Sequence, residues 1–328
     1  MAFLVLTHAE VERLLTMDAC IDLMATALAD LARGDLSQPL RAVYTPPGAT
    51  GAMGWMPAHR AGAHAVYGLK ILCVIPDNPQ RGLDAHQGAV ALLDGVTGEL
   101  RALVDAAAVT AIRTAAVSAV ATRQLARADA RELALIGTGV QARWHLDALP
   151  RVRPIARVRV AGRTVDAARR FVERMRPHTP CTLEAVEDAA AAVRGADIVV
   201  TATSAREPVL AHGWLAPGTH VNAVGASQPP HREIDTATWA AATVFVDRRE
   251  SVENEAADYR RARDEGAIGP DHIRAELGDV LLGWAGGRTA REEVTLFRSL
   301  GLAVEDLVAA QYLLEPAQRS GVGTWVDF

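Results

Sequence analysis

The sequence contains few cysteines, no long apolar run and no cluster of basic residues, and each shortage excludes a class of protein. Its three cysteines, Cys20, Cys73 and Cys181, are scattered over 328 residues without the spacing of metal ligands or of a disulfide framework. The formal net charge of −5 argues against non-specific nucleic-acid binding. Apolar runs stay shorter than the roughly 18 residues of a membrane span, and the opening segment has no basic stretch. We therefore expect a cytoplasmic protein without signal peptide, metal site, membrane partner or nucleic-acid partner.

The overall amino-acid composition is that of an ordinary globular protein. Hydrophobic residues make up 50% of the chain and charged residues 22%, a balance that gives no signature of disorder. A chain of 328 residues is long enough for two domains or for one large one. Repeats, low-complexity segments and flexible linkers are absent from the sequence.

The most informative segment is a glycine turn between a strand-like run and a helix-like run. The apolar residues 133–136 lead into Gly137-x-Gly139-x-x-Ala142, and a helix-like stretch follows. Gly137 permits a tight turn, Gly139 lets the backbone approach phosphates, and the small Ala142 allows close packing of helix on strand. A lone Gly-x-Gly is a weak signal, since many such turns only redirect the chain. The flanking segments favour a site for a dinucleotide pyrophosphate.

The end of the next predicted strand indicates which dinucleotide is bound. Residues 155–160 alternate between apolar and polar and are followed by Ala161-Gly162-Arg163-Thr164. An NAD-specific site usually carries Asp or Glu here, which accepts hydrogen bonds from the ribose hydroxyls. A guanidinium instead suits a doubly charged 2′-phosphate. We therefore expect a preference for NADP(H), with NAD(H) as the alternative, although a solvated Arg163 without a ligand is the simpler interpretation of an isolated arginine.

From about residue 130 the pattern alternates between strand and helix, which predicts a doubly wound parallel sheet of the Rossmann type in an α/β protein. A β-rich region before it spans 39–104, and long helices are predicted over 9–33, 105–127 and 291–315. The alternating segments are 133–136, 140–149, 155–160, 164–175, 182–193 and 197–203, with further strands at 219–224 and 243–247. We predict a Rossmann domain over 122–303, inserted into a second α+β domain built from 1–121 and 304–328.

Three cations occupy positions where apolar side chains are expected. Lys70 lies inside an apolar strand-like run, Arg113 lies within the Ala-rich helix, and Arg41 lies at a junction between loop and strand. An unpaired buried cation costs several kcal/mol, so each needs an anionic partner or water. One interpretation pairs each of them with a carboxylate of the chain or lets it reach the surface. Their number favours a site for a substrate carboxylate, which arginine binds in a bidentate fork.

A further candidate segment follows the predicted strand 219–224. Gly225-Ala226-Ser227 lies at a carboxyl end of the predicted sheet, where open α/β sheets bind their ligands. The Ser227 hydroxyl is suited to bond a substrate or the nicotinamide amide. The spacing supports an alternative role for Ser227 equally well, in which its hydroxyl caps a turn before Pro229.

Together these segments resemble the ornithine cyclodeaminase/mu-crystallin family over most of the chain and in order. The matching segments are Gln38-Pro39-Leu40-Arg41, Met56-Pro57, Gly68-Leu69-Lys70, Asp94 with Thr97-Gly98, Asp105, Thr110-Ala-Ile-Arg113-Thr-Ala-Ala116, Gly137-Thr-Gly139-Val-Gln141-Ala142, Arg163-Thr164, Gly225-Ala-Ser227, Glu276-Leu-Gly278-Asp279-Val280 and Thr295-Leu-Phe-Arg-Ser-Leu-Gly301-Leu-Ala-Val-Glu305-Asp306. The resemblance implies a homodimer, whose dimerisation and substrate domain is formed by both chain ends around the Rossmann domain.

The resemblance also implies that Arg41, Lys70 and Arg113 hold the α-carboxylate of a substrate next to the nicotinamide. The predicted catalytic residues are these three together with Ser227, and Met56 joins them in the predicted substrate-binding set. The predicted cofactor-binding residues are Gly137, Thr138, Gly139, Val140, Gln141, Arg163, Thr164, Thr201, Ala202, Thr203, Gly225 and Thr114.

Two departures from the cyclodeaminase pattern point to the mu-crystallin branch, which reduces cyclic ketimines. Cyclodeaminases carry Asp at the position of Ser227, where the carboxylate acts on the substrate amine. They also carry Glu shortly before the Met-Pro pair, where this chain has Gly54-Trp55. A hydroxyl at pH 7 replaces a carboxylate neither as a base nor as the counter-charge of an ammonium.

The leading hypothesis is NADPH-dependent reduction of small cyclic 2-imino carboxylates, such as Δ1-piperideine-2-carboxylate or Δ1-pyrroline-2-carboxylate. The imine nitrogen must be protonated, and the candidate donors are Lys70, an ordered water and His86. Three alternatives stay open: an amino-acid or opine-type dehydrogenase, an ornithine cyclodeaminase that recycles NAD, and a non-catalytic protein that binds NADP and a small ligand.

Overall fold

The structure is a computed structural model that describes residues 2–226 and 230–327, apart from the side chain of Pro79. The chain forms two compact units, Met1–Arg113 with Gly301–Phe328, and Thr114–Leu300. The second unit is thus an insertion in the first. The junctions fall at 113/114 and 300/301 in the structure, whereas the sequence analysis placed them at 121/122 and 303/304.

Strands β2 to β7 of the first unit follow one another without an intervening α-helix, whereas most strands of the second unit are separated by helices. They are β1 Ala2–Leu6, β2 Leu36–Ser37, β3 Ala42–Tyr44, β4 Ala52–Arg60, β5 Val66–Val74, β6 His86–Asp94, β7 Leu100–Asp105, β8 Glu132–Ile136, β9 Arg157–Ala161, β10 Thr182–Ala185, β11 Ile198–Thr201, β12 His220–Ala223, β13 Thr243–Val246, β14 Ile273–Glu276, β15 Thr295–Arg298 and β16 Thr324–Asp327.

The helices include long ones in the first unit and short ones that cover the sheet of the second. They are α1 His8–Leu14, α2 Met17–Arg33, α3 Ala106–Leu125, α4 Val140–Ala148, α5 Val165–Met175, α6 Ala189–Val193, α7 Thr236–Ala241, α8 Arg249–Glu255, α9 Ala257–Asp264, α10 Leu277–Leu281 and α11 Ala303–Ser320. Among the described residues, no helix combines the length and the apolar character that crossing a bilayer requires.

The first unit is built on a mixed sheet in the order β16-β1-β7-β6-β5-β4-β2, with β3 also paired to β4. Strands β4 to β7 pair antiparallel, and Lys70 on β5 lies opposite Met56 on β4. Side chains alternate between the two faces of a strand. Lys70 therefore shares a face with Gly68, on which Leu307 of α11 packs. Helix α11 and the Lys70 side chain thus belong to the same side of this sheet.

The second unit carries the parallel sheet predicted from the alternation of strands and helices. Its order is β10-β9-β8-β11-β12-β15-β13-β14, and every pairing is parallel. The first six strands of this order follow the doubly wound pattern, in which successive strands are added on one side of β8 up to β10 and then on its other side from β11 onward. The predicted fold class, a Rossmann-type parallel sheet inserted in the sequence of a second unit formed from both chain ends, is confirmed.

Two predicted helices are wrong in part. The segment 9–33 forms α1 and α2 rather than one helix, because Thr16 takes an extended conformation and its hydroxyl caps α2 by accepting from the Ala19 N–H at 3.4 Å. The segment 291–315 contains β15 before α11 begins at Ala303. Strand β15, Thr295-Leu-Phe-Arg298, is buried along its whole length, so it lacks the alternation of polar and apolar residues that predicts a half-buried strand.

Candidate active site

The glycine turn after β8 lies where a doubly wound sheet binds its ligand. Gly137 has φ 126°, and a Cβ on it would collide with the carbonyl oxygen of Ala202 at the end of the adjacent strand β11. Only glycine fits this backbone conformation and this close approach. The turn therefore lies at the switch point between β8 and β11.

The N-terminus of α4 fits a pyrophosphate. Helix α4 begins after Gly139, no side chain caps it, and a Cβ on Gly139 would meet nothing within 4 Å. By contrast, α5 and α6 are capped by the side chains of Thr164 and Asp188. The first N–H groups of a helix have no acceptor within it and attract anions. The predicted residues Thr138, Gly139, Val140 and Gln141 form this turn and the start of the helix.

The end of β9 carries an exposed arginine. Strand β9 ends at Ala161, and Arg163 makes no hydrogen bond or ion pair with any other described residue. The neighbouring Thr164 is the N-cap of α5, and its hydroxyl accepts a hydrogen bond from the Ala167 N–H at 3.2 Å. The hydroxyl thus has a structural role in helix α5, while the Arg163 guanidinium is accessible at the carboxyl end of the strand.

The predicted residues after β11 and β12 are held by buried charges that the sequence analysis did not assign. Thr203 donates to Glu233 from its backbone N–H at 2.6 Å and from its hydroxyl at 2.7 Å, and the Thr201 hydroxyl donates at 2.9 Å. The carbonyl of Gly225 accepts from buried Arg298 at 2.8 Å. Of the other predicted residues, Thr114 is buried in α3. Ser227 lies outside the described residues.

In the first unit, Lys70 and Arg113 share one buried carboxylate. Asp306 Oδ1 accepts from Lys70 Nζ at 2.9 Å and from Arg113 Nε at 3.1 Å, and Arg113 Nη1 donates to Glu305 at 2.6 Å. Lys70 also donates to the Thr110 hydroxyl at 2.6 Å. The interpretation that pairs these cations with carboxylates of the chain is therefore correct for Lys70 and Arg113.

Arg41 joins this group through the backbone at Gly301. Arg41 Nη2 donates to the Gly301 carbonyl at 2.7 Å, while a Cβ on Gly301, whose φ is 79°, would collide with the Arg113 guanidinium. Arg41 and Arg113 thus lie on either side of one glycine. We call Arg41, Lys70, Arg113, Glu305 and Asp306 the basic cluster. Its three cations and two carboxylates leave one net positive charge.

The electrostatics of the basic cluster make Lys70 unusually acidic. Burial, with a smaller contribution from the charges of Arg113 and Arg41, lowers the pKa of Lys70 to about 8 against the opposing attraction of Asp306. Burial opposes ionisation of Asp306, yet Arg113 and Lys70 hold its pKa below the usual range. His86 on β6 lies within the field of the same cations, and desolvation together with Lys70 and Arg113 lowers the pKa of its imidazole. At neutral pH Lys70 is the more readily protonated of these two candidate donors.

The sequence analysis did not assign the partners that organise the basic cluster. Met56 is buried opposite Lys70, so the predicted substrate residues Arg41, Lys70, Arg113 and Met56 belong to one face of the first unit. Glu305 and Asp306, which hold two of these cations, carried no predicted role. Two adjacent carboxylates inside the apolar run that begins α11 were the available signal.

Comparisons with known proteins agree over the whole chain. Residues 1–321 match the ornithine cyclodeaminase/mu-crystallin family. The chain is 36% identical over 326 residues to Δ1-pyrroline-2-carboxylate reductase of Bacillus cereus, covering 99% of this chain and 100% of that protein. It is 35% identical over 296 residues to ketimine reductase mu-crystallin of Mus musculus, covering 89% and 90%.

A solved structure shows the same fold. Thermococcus litoralis Δ1-pyrroline-2-carboxylate reductase, in complex with NADH and L-proline, aligns with a TM-score of 0.95 at 36% identity and covers 98% of this chain and 99% of that chain. The resemblance inferred from the motifs is thereby confirmed. The chain belongs to the ornithine cyclodeaminase/mu-crystallin family.

Proposed function

We propose that this protein is an NADPH-dependent reductase of small cyclic 2-imino carboxylates, such as Δ1-pyrroline-2-carboxylate or Δ1-piperideine-2-carboxylate. The observation that carries the proposal is the basic cluster, in which a lysine of lowered pKa shares a carboxylate with an arginine. The two similar relatives described above are both named as reductases of this kind of substrate.

The basic cluster supports binding of one carboxylate. One net positive charge on three cations, two of them arginines, matches a single α-carboxylate. The internal carboxylates Glu305 and Asp306 hold Lys70 and Arg113 in place, which reduces the ordering cost of binding. Met56 supplies apolar surface opposite Lys70.

Lys70 is the proposed proton donor to the imine nitrogen. A general acid is most effective when its pKa lies near the working pH, and the pKa of Lys70 is about 8. When bound, the reduced nicotinamide supplies the hydride that the imine carbon accepts. Lys70 also holds positive charge beside the substrate carboxylate, so the same side chain orients the substrate and protonates it.

We expect the reductive rate, measured as kcat/KM for the imine, to fall as the pH rises through about 8. Because burial lowers the pKa of Lys70 to about 8, its ammonium form is present below that pH and is lost above it. The rate then falls about tenfold for each further pH unit. Oxidation of the cyclic amino acid needs Lys70 as a neutral amine that accepts a proton, so the oxidative rate is expected to rise over the same range. Profiles in both directions test this, and a reductive rate that is level across pH 8 would contradict the role of Lys70.

The preference for NADPH over NADH is proposed from Arg163. Its guanidinium is exposed at the end of β9, next to the strand that ends in the glycine turn, and no described residue neutralises it. A 2′-phosphate would form charge-assisted hydrogen bonds with it, whereas NADH offers only hydroxyls at that position.

The activity test uses purified protein with each cofactor and each substrate class. Loss of NADPH absorbance with a cyclic 2-imino carboxylate, without ammonia release from ornithine, supports the proposal. Ammonia released from ornithine without net cofactor change would replace it with a cyclodeaminase. Tight NADPH binding with no turnover of any imine or 2-oxo acid would leave a binding protein. Turnover only with a 2-oxo acid and free ammonia would indicate an amino-acid dehydrogenase.

We also propose that the protein is a cytoplasmic homodimer. Strands β4 and β5 present an apolar face opposite the one that holds Lys70, and Trp55 and Ile71 lie next to each other there. Trp55 is 40% exposed and nearby Tyr67 is 51% exposed, a large apolar surface for a monomer to leave in water. A second copy that covers this face would bury it.

The cytoplasmic location rests on the free thiols of the three cysteines.

Replacing Trp55 by Asp is expected to dissociate the dimer, so that the measured mass falls from that of two chains toward that of one chain. The charge would have to be buried at the proposed contact, which costs several kcal/mol. Light scattering coupled to size exclusion measures the result. Val96→Asp is the control, because Val96 is 89% exposed on a turn. A Trp55→Asp protein that keeps the wild-type mass would overturn this placement of the dimer contact.

A further inference from the structure

Arg298 is a fully buried arginine whose hydrogen-bonding groups face backbone rather than solvent. It lies on β15 in the second unit, and its guanidinium donates to the carbonyls of Ala223 at 3.1 Å, Gly225 at 2.8 Å and Ala226 at 2.8 Å. Asp258 Oδ1 lies 3.3 Å from its Nε. A buried charge of this kind is expensive unless it is satisfied, and here most of its donors are used to hold one short segment, 223–226.

The segment that Arg298 holds includes a residue in an unfavourable conformation. Ala226 has φ 51°, which residues with a Cβ rarely adopt. Its carbonyl accepts from Arg298, and its N–H donates to the Thr203 carbonyl at 3.2 Å. The turn after β12 is therefore kept in place by contacts made on both sides of its backbone.

A second buried charge holds the neighbouring loop. Glu233 accepts from the Thr203 N–H and from the hydroxyls of Thr203 and Thr201, which fixes the end of β11. The Glu233 carboxylate also lies against the Cα of Gly225, where it leaves no room for a side chain. Burial raises the pKa of Glu233, and the charge of Arg298 opposes that rise. The two charges thus act on the same pair of loops.

The order of the strands indicates which part of a dinucleotide these loops meet. The ribose that carries the 2′-position is assigned to the end of β9, and the pyrophosphate to the turn after β8. β11 and β12 lie on the other side of β8 from β9, so their carboxyl ends are left for the nicotinamide half.

We propose that Arg298, together with Glu233, is a positioning residue for the nicotinamide half of the cofactor site. Arg298 and Glu233 shape the loops 201–203 and 223–226. This role rests on the dinucleotide binding of the proposed function. Neither residue needs to touch the cofactor. Each acts through the backbone or hydroxyl groups that it holds.

The test compares two probes on the full-length protein by fluorescence titration. NADPH contains the nicotinamide, whereas 2′-phospho-ADP-ribose shares the remainder of the molecule and lacks it. In Arg298→Met the dissociation constant for NADPH is expected to rise about tenfold or more, because charge-assisted hydrogen bonds to the loop are lost. The constant for 2′-phospho-ADP-ribose is expected to stay within about twofold of wild type. Arg298→Lys keeps the charge and is expected to recover part of the loss.

Arg288 provides a matched control in the same unit. It also donates to backbone carbonyls, those of Leu125 at 2.6 Å and Gly218 at 3.1 Å, but it lies near the opposite ends of β12 and β15. Arg288→Met is expected to lower thermal stability without changing the ratio of the two dissociation constants. Glu233→Gln is the second variant for the case in which Arg298→Met does not fold, and it is expected to change the ratio in the same direction as Arg298→Met.

The outcomes separate this inference from the proposed function. Equal weakening of both probes in the Arg298 or Glu233 variants, or no change in either, would overturn the positioning role while wild-type binding still supports a dinucleotide site. Wild-type protein that binds neither probe would overturn the dinucleotide site itself, and the positioning role with it. In the folded variants kcat for the imine should fall more than its KM rises, since Arg41, Lys70 and Arg113, which are proposed to bind the substrate carboxylate, belong to the first unit.

Discussion

Lys70→Met is expected to lower kcat for imine reduction by about 10²- to 10⁴-fold, the usual contribution of a general acid. The variant removes the proton donor and one of the three cations, so the KM for the imine is expected to rise as well. It also leaves Asp306 with Arg113 as its remaining partner in the described structure. Steady-state kinetics at saturating NADPH measure both constants.

The controls for Lys70 distinguish charge from proton donation. Lys70→Arg keeps a cation, but a guanidinium does not release its proton near neutral pH, so the variant is expected to restore part of the KM while kcat stays low. His86→Gln tests the alternative donor and is expected to retain most of the activity, because the lowered pKa of His86 leaves the imidazole neutral at pH 7. A Lys70→Met enzyme with kcat near wild type would exclude Lys70 as the donor.

Arg163→Ala is expected to weaken NADPH by about ten- to a hundredfold and to leave NADH nearly unchanged. The exposed guanidinium makes no hydrogen bond or ion pair with the described part of the chain, so the substitution is expected to remove an interaction with the cofactor and little internal stability. Dissociation constants for both cofactors, measured by fluorescence, test this directly.

Two matched variants complete the experiment on Arg163. Arg169→Ala removes an exposed arginine that pairs with Asp166 on the nearby helix α5, and it is expected to affect neither cofactor. Thr164→Ala removes the cap of α5 and is expected to cost about 1 kcal/mol of stability, with little change in specificity. Equal weakening of NADPH and NADH by Arg163→Ala would remove the argument for the 2′-phosphate.

The parallel sheet and its glycine turn were predictable because their signals are local. The run Leu133 to Ile136, the spacing of Gly137 and Gly139, and the period of α4 lie within one stretch of chain, so short-range sterics and alternation decide them. Strand β15 was missed because all four of its residues, Thr295 to Arg298, are buried, and their types do not alternate between polar and apolar. Its neighbours in the sheet, β12 and β13, supply the reason that it is a strand.

By itself the sequence determined the fold class, the position of the glycine turn and the identity of three unusual cations, because each follows from the residue types in one segment. Only the tertiary structure decided the partners of those cations and of the loops. Asp306 meets Lys70 across 236 residues, and Arg298 meets Ala226 across 72. Contacts between segments so far apart depend on which strands and helices pack together, and residue types alone do not specify that packing.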